Sequence, residues 1–290
     1  MSIGQWLRSY VPPTPVGRSL VSVTITDSVG TGLYLSGSVI YFVKGIGLSA
    51  GEVGSALSIA GLAGFLASVP LGMTGDRVGA KRLLVALQLF RGAMLVLLAF
   101  VTSFPEFLCA AIALTVAARS VSPATQAVVA GTMSKDDRVA TMAIMRSVRN
   151  VGYSVGAALT IPIFALGSLW SYRLLMLGNA ITFVLSALLL IRVRTPAHIP
   201  PVSGRRRYLA GVRDWRFLGL TLVNGSLSLH TSILSVALPL WTLATGGPRW
   251  LVSLLLILNT VLAFLLQVAS TRGSESPDFG QRSLRRAAVA

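Results

Sequence analysis

Cysteine is nearly missing from this 290-residue chain: there is one, Cys109, inside an apolar segment. A single cysteine excludes a disulfide framework and a cysteine-based metal centre. Charge is scarce as well. Charged residues make up 12% of the chain, about half the usual share for a soluble domain. Acidic residues number only nine against 25 basic ones, and all the basic residues except Lys44, Lys81 and Lys135 are arginine. We read that arginine bias as the mark of a GC-rich coding sequence, without bearing on function. No stretch reads as a nucleotide-binding loop, a metal-ligand pair or a nucleophile elbow, so neither a cofactor nor a metal is expected. In a soluble protein a net charge of +16 would suggest a nucleic-acid partner. Here the basic residues lie between apolar stretches rather than on one face, which argues against nucleic acid.

Apolar residues are what the chain has in abundance. They make up 53% of it, and the mean hydropathy is +0.75, too apolar for a soluble globule. Crossing a hydrocarbon core of about 30 Å takes about 20 predominantly apolar residues in a helix. Eight stretches meet that need: 20–43, 51–72, 83–103, 107–131, 145–168, 172–192, 217–243 and 250–268. Met1 to Arg18 is mixed in character, carries Pro12, Pro13 and Pro15, and leads into a run long enough to span. It does not read as a cleavable signal peptide. The expected fold is all-α, a polytopic bundle of about eight transmembrane helices.

The basic residues orient that bundle. Of the 25, Arg91 and Arg119 lie within spans, Lys44, Arg173 and Arg249 fall on one side, and the remaining 20 fall on the other. The positive-inside rule makes the richer side cytoplasmic and places both termini there. The opposite connections carry Phe104, Phe107, Trp170, Tyr172, Trp241 and Trp250, as interfacial anchors do. Residues 193–216 form the longest polar stretch between spans, with Pro196, Pro200, Pro201 and the triplet Arg205-Arg206-Arg207. We read it as a cytoplasmic linker between a six-helix unit, 1–192, and a partial second unit, 217–290, attached loosely to the first. The triplet reads as a topology determinant, with contact to anionic headgroups as the alternative.

The connection Gly72-Met-Thr-Gly-Asp76-Arg77-Val-Gly79-Ala-Lys81-Arg82 reads as a short, charged, glycine-rich turn between two apolar helices. It resembles the loop between the second and third helices of the major facilitator superfamily, G-x-L-A-D-R-x-G-R-K/R. Gly72, Asp76, Arg77, Gly79 and Lys81 match, while Thr74, Gly75 and Ala80 depart from the pattern. The run Gly152-Tyr-Ser-Val-Gly156-Ala-Ala-Leu-Thr-Ile-Pro162 resembles the G-x-x-x-G-P-x-x-G-G segment of that family's antiporters. Ala157 stands at the proline position, and the proline comes later, at Pro162. Arg119 in the fourth span matches the family's arginine there, although the following Gln-Gly is replaced by Ser122 and Pro123.

The resemblance implies a bacterial inner-membrane transporter working by alternating access. Its expected role is proton-coupled efflux of small hydrophobic or drug-like molecules, with protons, a small-molecule substrate and the lipid bilayer as partners. In that family Asp76 and the basic residues near it clamp the inner gate, with Arg77 and Arg138 or Arg149 as expected partners. Members have twelve spans in two six-helix halves. Eight spans plus a basic tail therefore suggest a C-terminally truncated chain, whose alternative reading is a non-transporting membrane fragment. An intramembrane enzyme would need paired carboxylates, a serine–histidine pair or metal ligands within the spans, and none is visible.

Apart from Glu52 at the edge of the second span, only one acidic residue falls within a span. Asp27 is placed about 10 Å into the first span at 1.5 Å per residue, where an ionisable group costs enough that a function is the default reading. The resemblance makes Asp27 the candidate proton site, against a static polar lock with an arginine as the structural alternative. Arg119 is the expected partner, because the first and fourth spans line one cavity in that fold. Arg91, near Gln88 in the third span, is expected to snorkel to the interface. His230, mid-span in the seventh helix, is a further proton-coupling candidate. Asn179, Asn224 and Asn259 are expected to make interhelical hydrogen bonds.

Overall fold

A computed structural model describes residue 12, residues 14–195, residues 215 and 219, and residues 232–270. His230, Asn224, most of the 193–216 linker and the basic tail lie outside the described residues. Eight helices carry the description: α1 (Pro15–Lys44), α2 (Ala50–Val78), α3 (Ala80–Leu98), α4 (Phe104–Thr132), α5 (Lys135–Leu166), α6 (Leu169–Arg192), α7 (Leu238–Ala244) and α8 (Trp250–Ser270). A π-helical turn, Ile233–Ala237, leads into α7. There the Leu238 amide donates to the Ile233 carbonyl, and the register widens just before Pro239, which has no amide to donate.

Short polar caps set where the helices begin. Thr14 accepts from the Gly17 amide at the start of α1. Ser49 and Glu52 form a reciprocal capping box on α2. The Glu106 carboxylate accepts from the Thr102 and Ser103 amides at the start of α4. Ser134 and Ser168 cap α5 and α6 by accepting from the Asp137 and Ser171 amides. Each cap satisfies amides that the first turn leaves without a partner.

Between α2 and α3 the structure corrects the reading of a turn. The chain stays helical through Val78, so Gly72, Asp76 and Arg77 sit on the last turns of α2. Gly79 alone makes the reversal, at φ 96°, a conformation that favours glycine. One residue thus ends one helix and starts the next. The third helix starts at Ala80, earlier than expected, and stops at Leu98.

Three described helix segments are long and apolar enough to cross a membrane: Ala50–Ser68, Phe104–Thr132 and Leu169–Arg192. They belong to α2, α4 and α6. The less apolar long helices, α1, α3 and α5, carry Asp27, Arg91 and Arg149 and form the polar interior. Helix α1 tolerates its many hydroxyls because they turn back onto its own backbone. Thr24, Ser28, Thr31 and Ser36 each donate to the carbonyl four residues earlier, at 2.6–2.9 Å. Such back-bonding meets hydrogen-bond demand where water is absent.

Packing runs mainly α1 on α5 and α6, α3 on α4 and α6, α2 on α4, and α8 on α5. Two apolar clusters result. One, at the end that carries Gly79 and Ser134, gathers Leu20, Val23, Leu84, Val128 and Met145. The other, at the opposite end, gathers Tyr41, Phe42, Phe107, Phe164 and Tyr172. Here the Tyr41 hydroxyl donates to the carbonyls of Leu98 and Ala99 at 3.0 Å, closing the last turn of α3. Helix α8 is not loosely attached, as the sequence suggested. It buries Val252 and Leu256, Thr160 and Ser253 share a buried hydrogen bond of 2.6 Å, and Arg249 donates to the Tyr172 hydroxyl.

Candidate functional site

Between the two apolar clusters lies a polar layer, and Asp27 is its centre. Asp27 is about 18 Å from the start of α1 and Arg91 about 17 Å from the start of α3, taking 1.5 Å per residue. The two helices run in the same direction from a common end, α1 out of the Gly17 end and α3 out of Gly79, so the side chains meet at similar depth. The Arg91 Nη1 donates to Asp27 Oδ1 at 2.8 Å, with side chains 8% and 22% exposed respectively. The Gln88 amide donates to the same oxygen at 2.8 Å. Arg91 also donates to the Gln88 Oε1 at 2.7 Å, and its guanidinium lies over the Phe183 ring, 3.7 Å from the centroid. The i, i+3 spacing of Gln88 and Arg91 puts both on one face of α3.

Both donors fall on Oδ1. Oδ2 takes part in none of the described hydrogen bonds, and Asp27 lines a cavity of about 210 Å³. Leu20 and Val23 of α1, Leu84 of α3, Val121 of α4 and Met145 of α5 give that cavity an apolar wall. Its polar wall adds Arg149 and Tyr153 from α5. Tyr153 is within electrostatic reach of Arg149, Asp27 and Arg91 alike. A second cavity of about 100 Å³ shares Ser122, Thr125, Met145 and Arg149 with the first and adds Arg146.

The expected roles are redistributed by this geometry. Arg91 does not snorkel: it is buried and holds Asp27, the place the sequence had assigned to Arg119. Arg119 is exposed and packs toward α2, where a Cβ on Gly64 would meet its Cγ at 3.1 Å. It does not line the cavity of Asp27, whereas its neighbours Ala118 and Val121 do. His230 lies outside the described residues. Asn179 is buried, but its Oδ1 accepts from Thr182 on its own helix at 3.4 Å and its Nδ2 has no partner among the described residues. Asn259 is exposed.

At the end of α2, Asp76 lines a separate cavity of about 290 Å³ between α2 and α4, together with Gly72 and Gly75. Of the basic residues expected near it, Arg138 donates to the Ala130 carbonyl at 3.0 Å, and Arg149 lines the inner cavity. Lys81 donates to the carbonyls of Ile191 at 3.0 Å and Val193 at 2.6 Å. It therefore ties the start of α3 to the C-terminal end of α6, where a cation suits the helix dipole.

The glycines of α5 carry the close approach to α1. A Cβ on Gly152 would lie 2.5 Å from the Ser28 Cβ, and one on Gly156 would collide with the Val29 carbonyl oxygen and the Leu33 amide. From the other side, a Cβ on Gly32 would lie 2.5 Å from the Tyr153 carbonyl oxygen. This is the small-residue packing that brings membrane helices together, and it puts Tyr153 and Arg149 beside Asp27. Pro162 is exposed further along α5.

Sequence reasoning located Asp27 but missed its partner and missed Arg149 as a cavity residue. The Gln88/Arg91 spacing was the available signal for the first. For the second the only signal was the arginine's place one turn before Tyr153 on a glycine-rich face.

Among curated proteins nothing matches this chain. A family model described as Major Facilitator Superfamily matches residues 20–290. A polytopic helical bundle with a polar layer buried between two apolar clusters, on a sequence that this model matches over nearly its whole length, belongs to the major facilitator superfamily: the chain is a multi-pass membrane transporter of small-molecule substrates.

Proposed function

We propose that the chain carries out proton-coupled efflux of small hydrophobic or drug-like molecules across the cell membrane by alternating access, with Asp27 as the proton site. The observation that carries this reading is the asymmetry of the Asp27 carboxylate. Oδ1 is held by Arg91 and Gln88, while Oδ2 takes part in none of the described hydrogen bonds and Asp27 lines the inner cavity. A proton arriving at Oδ2 cancels the charge without dismantling the hydrogen bonds on Oδ1. It also leaves Arg91 without a counter-charge, so the charge balance among α1, α3 and α5 changes with one proton. The groups that face Asp27 are Arg91 and Gln88 from α3 and Arg149 and Tyr153 from α5. A charge change within a buried layer is the kind of differential interaction that biases two packings of the same helices.

In this reading α1–α6 move as one body, residues 1–192. Residues 193–216 link it to residues 217 onward, with the α5–α8 contact as a surface along which the two slide. Both termini face the cytoplasm, as the basic residues at the Gly79 and Ser134 end require. The Lys81 tie between α3 and α6, with Asp76 and Arg77 nearby, forms the inner gate. Arg119, which does not line the Asp27 cavity, and His230 remain proton-coupling candidates.

The test uses the purified chain in proteoliposomes with trapped pyranine and an imposed pH gradient. A panel of small drug-like compounds is added, with naphthalene-2-sulfonamide and naphthalene-2-sulfonate among them. Compound-dependent proton flux is expected in the wild type and not in Asp27→Asn, whose compound binding remains. The sign of the signal reads whether proton and compound move together or in exchange. Equal flux in Asp27→Asn would refute the role of Asp27.

A further inference from the structure

The charges that line the inner cavity do not cancel. Asp27 contributes one negative charge, and Arg91 and Arg149 contribute two positive ones. Arg91 is committed to Asp27: its Nη1 donates to Asp27 and Gln88 and its guanidinium lies over the Phe183 ring, while its Nε has no partner among the described residues. Arg149 has no carboxylate in ion-pair contact among the described residues. It is half-buried on α5, about 21 Å from the start of that helix at 1.5 Å per residue. It faces the cavity between the helices, and an unpaired cation turned toward the interior of a membrane bundle is costly enough to need a partner or a role. Arg146, one turn nearer the basic end, lines the adjoining cavity and extends the positive strip toward the mouth.

We propose that the cavity is an anion site, and that the transported ligand is an amphiphilic organic anion. Its acidic group pairs with the Arg149 guanidinium, and its apolar body lies along Leu20, Val23, Leu84 and Met145. Tyr153, which lines the same cavity, offers a neutral hydroxyl donor beside the charge. The guanidinium presents several N–H donors in a planar fork that suits a carboxylate, sulfonate or phosphate. The size agrees with such a ligand. An apolar cavity of about 150 Å³ holds benzene, so about 210 Å³ is of the order needed for a one- or two-ring body. It falls short of the roughly 300–1,000 Å³ of pockets that enclose drug-sized molecules.

The inference rests on the proposed use of this cavity for transport, and it narrows the substrate class. It also sets how proton and ligand affect one another. A proton on Asp27 removes the negative charge that opposes an anion and uncovers Arg91, so proton and anion favour each other's binding. Efflux of such a ligand takes its proton along and is driven by the ligand's own accumulation inside.

The experiment compares naphthalene-2-sulfonate with naphthalene-2-sulfonamide, two probes of the same ring and nearly the same shape that differ in charge. Equilibrium binding is measured to the full chain in nanodiscs of zwitterionic lipid, with empty nanodiscs subtracted and no pH gradient. The wild type is expected to hold the sulfonate roughly ten- to a hundredfold more tightly, the range of a charge-assisted hydrogen-bonded contact. Arg149→Gln removes that preference, Arg149→Lys keeps most of it, and Arg18→Gln, at the exposed start of α1, leaves it intact. Asp27→Asn tightens the sulfonate and does not change the sulfonamide.

Equal or better binding of the sulfonamide by the wild type, or no saturable binding of either probe, would overturn the inference without recourse to any variant. So would a preference that survives in a folded Arg149→Gln. Because the binding needs no gradient, these outcomes are separate from those of the flux experiment. A sulfonate preference without proton flux would leave the anion site standing and refute the transport reading.

Discussion

Replacing Arg91 with methionine tests whether the polar layer is an energetically coupled unit or two side chains that merely touch. Methionine keeps much of the stem and can still lie on Phe183, where a sulfur–aromatic contact recovers about 0.3–1.5 kcal/mol. The cation–π contact, with the charge 3.7 Å from the ring centroid, is worth about 2 kcal/mol when desolvated, so its net loss is about 1 kcal/mol. The larger cost is Asp27. Stranding one member of a buried pair costs about 3–5 kcal/mol. Asp27, however, is 22% exposed and keeps Gln88, which moves the expected cost to about 2–3 kcal/mol. The total for Arg91→Met is then about 3–4 kcal/mol.

Asp27→Asn strands Arg91 instead, at about 2–3 kcal/mol by the same reasoning. If the pair is coupled, the double variant loses no more than the worse single one, because neither charge is left alone. The coupling energy is then about 2–3 kcal/mol. The assay is reversible unfolding in mixed micelles of increasing dodecyl sulfate content, followed by far-ultraviolet circular dichroism, for all four members of the cycle. Effects that add to within about 0.5 kcal/mol would refute the coupling. Arg91 would then be held by Phe183 and Gln88, and a proton on Asp27 would have no lever on α3.

Two further expectations follow from packing and orientation. Gly156→Val forces new atoms against the Val29 carbonyl and the Leu33 amide and should destabilise the bundle by about 1–3 kcal/mol, the usual cost of overpacking; unchanged unfolding in the same micelle titration would show that α1 and α5 do not lie this close. In a Cys109→Ser background, an impermeant maleimide added to intact cells should label Gly247→Cys and spare Ser134→Cys, and the reverse pattern would invert the orientation.

Much of the architecture was legible because the bilayer imposes simple demands. Length and apolarity locate a helix that must satisfy its own backbone in hydrocarbon, so each of the six stretches from 20–43 to 172–192 falls on one of α1–α6, although α5 begins at Lys135, well before its stretch. Asp27 stood out because a single acid within a span has a high cost. These are properties of one segment in its solvent, and neighbouring segments hardly alter them.

What faces what was not legible. The Gly72–Arg82 segment reads as a loop by composition, yet its charged residues lie at the membrane edge, where a helix can continue, and only Gly79 departs from helical backbone. Arg119 matched a family position and Arg91 had a route to the interface, so their roles were exchanged by the sequence reading. Choosing between them depends on the rotation of α3 and α4 about their axes. That rotation is set by contacts distant in sequence: Gly92 against Ala180 and Phe183 under Arg91 for α3, and Gly64 against Arg119 for α4. Gly32 against Tyr153 turns Arg149 of α5 inward. A sequence states which groups are costly to bury, and the packing of several helices at once decides which of them meet.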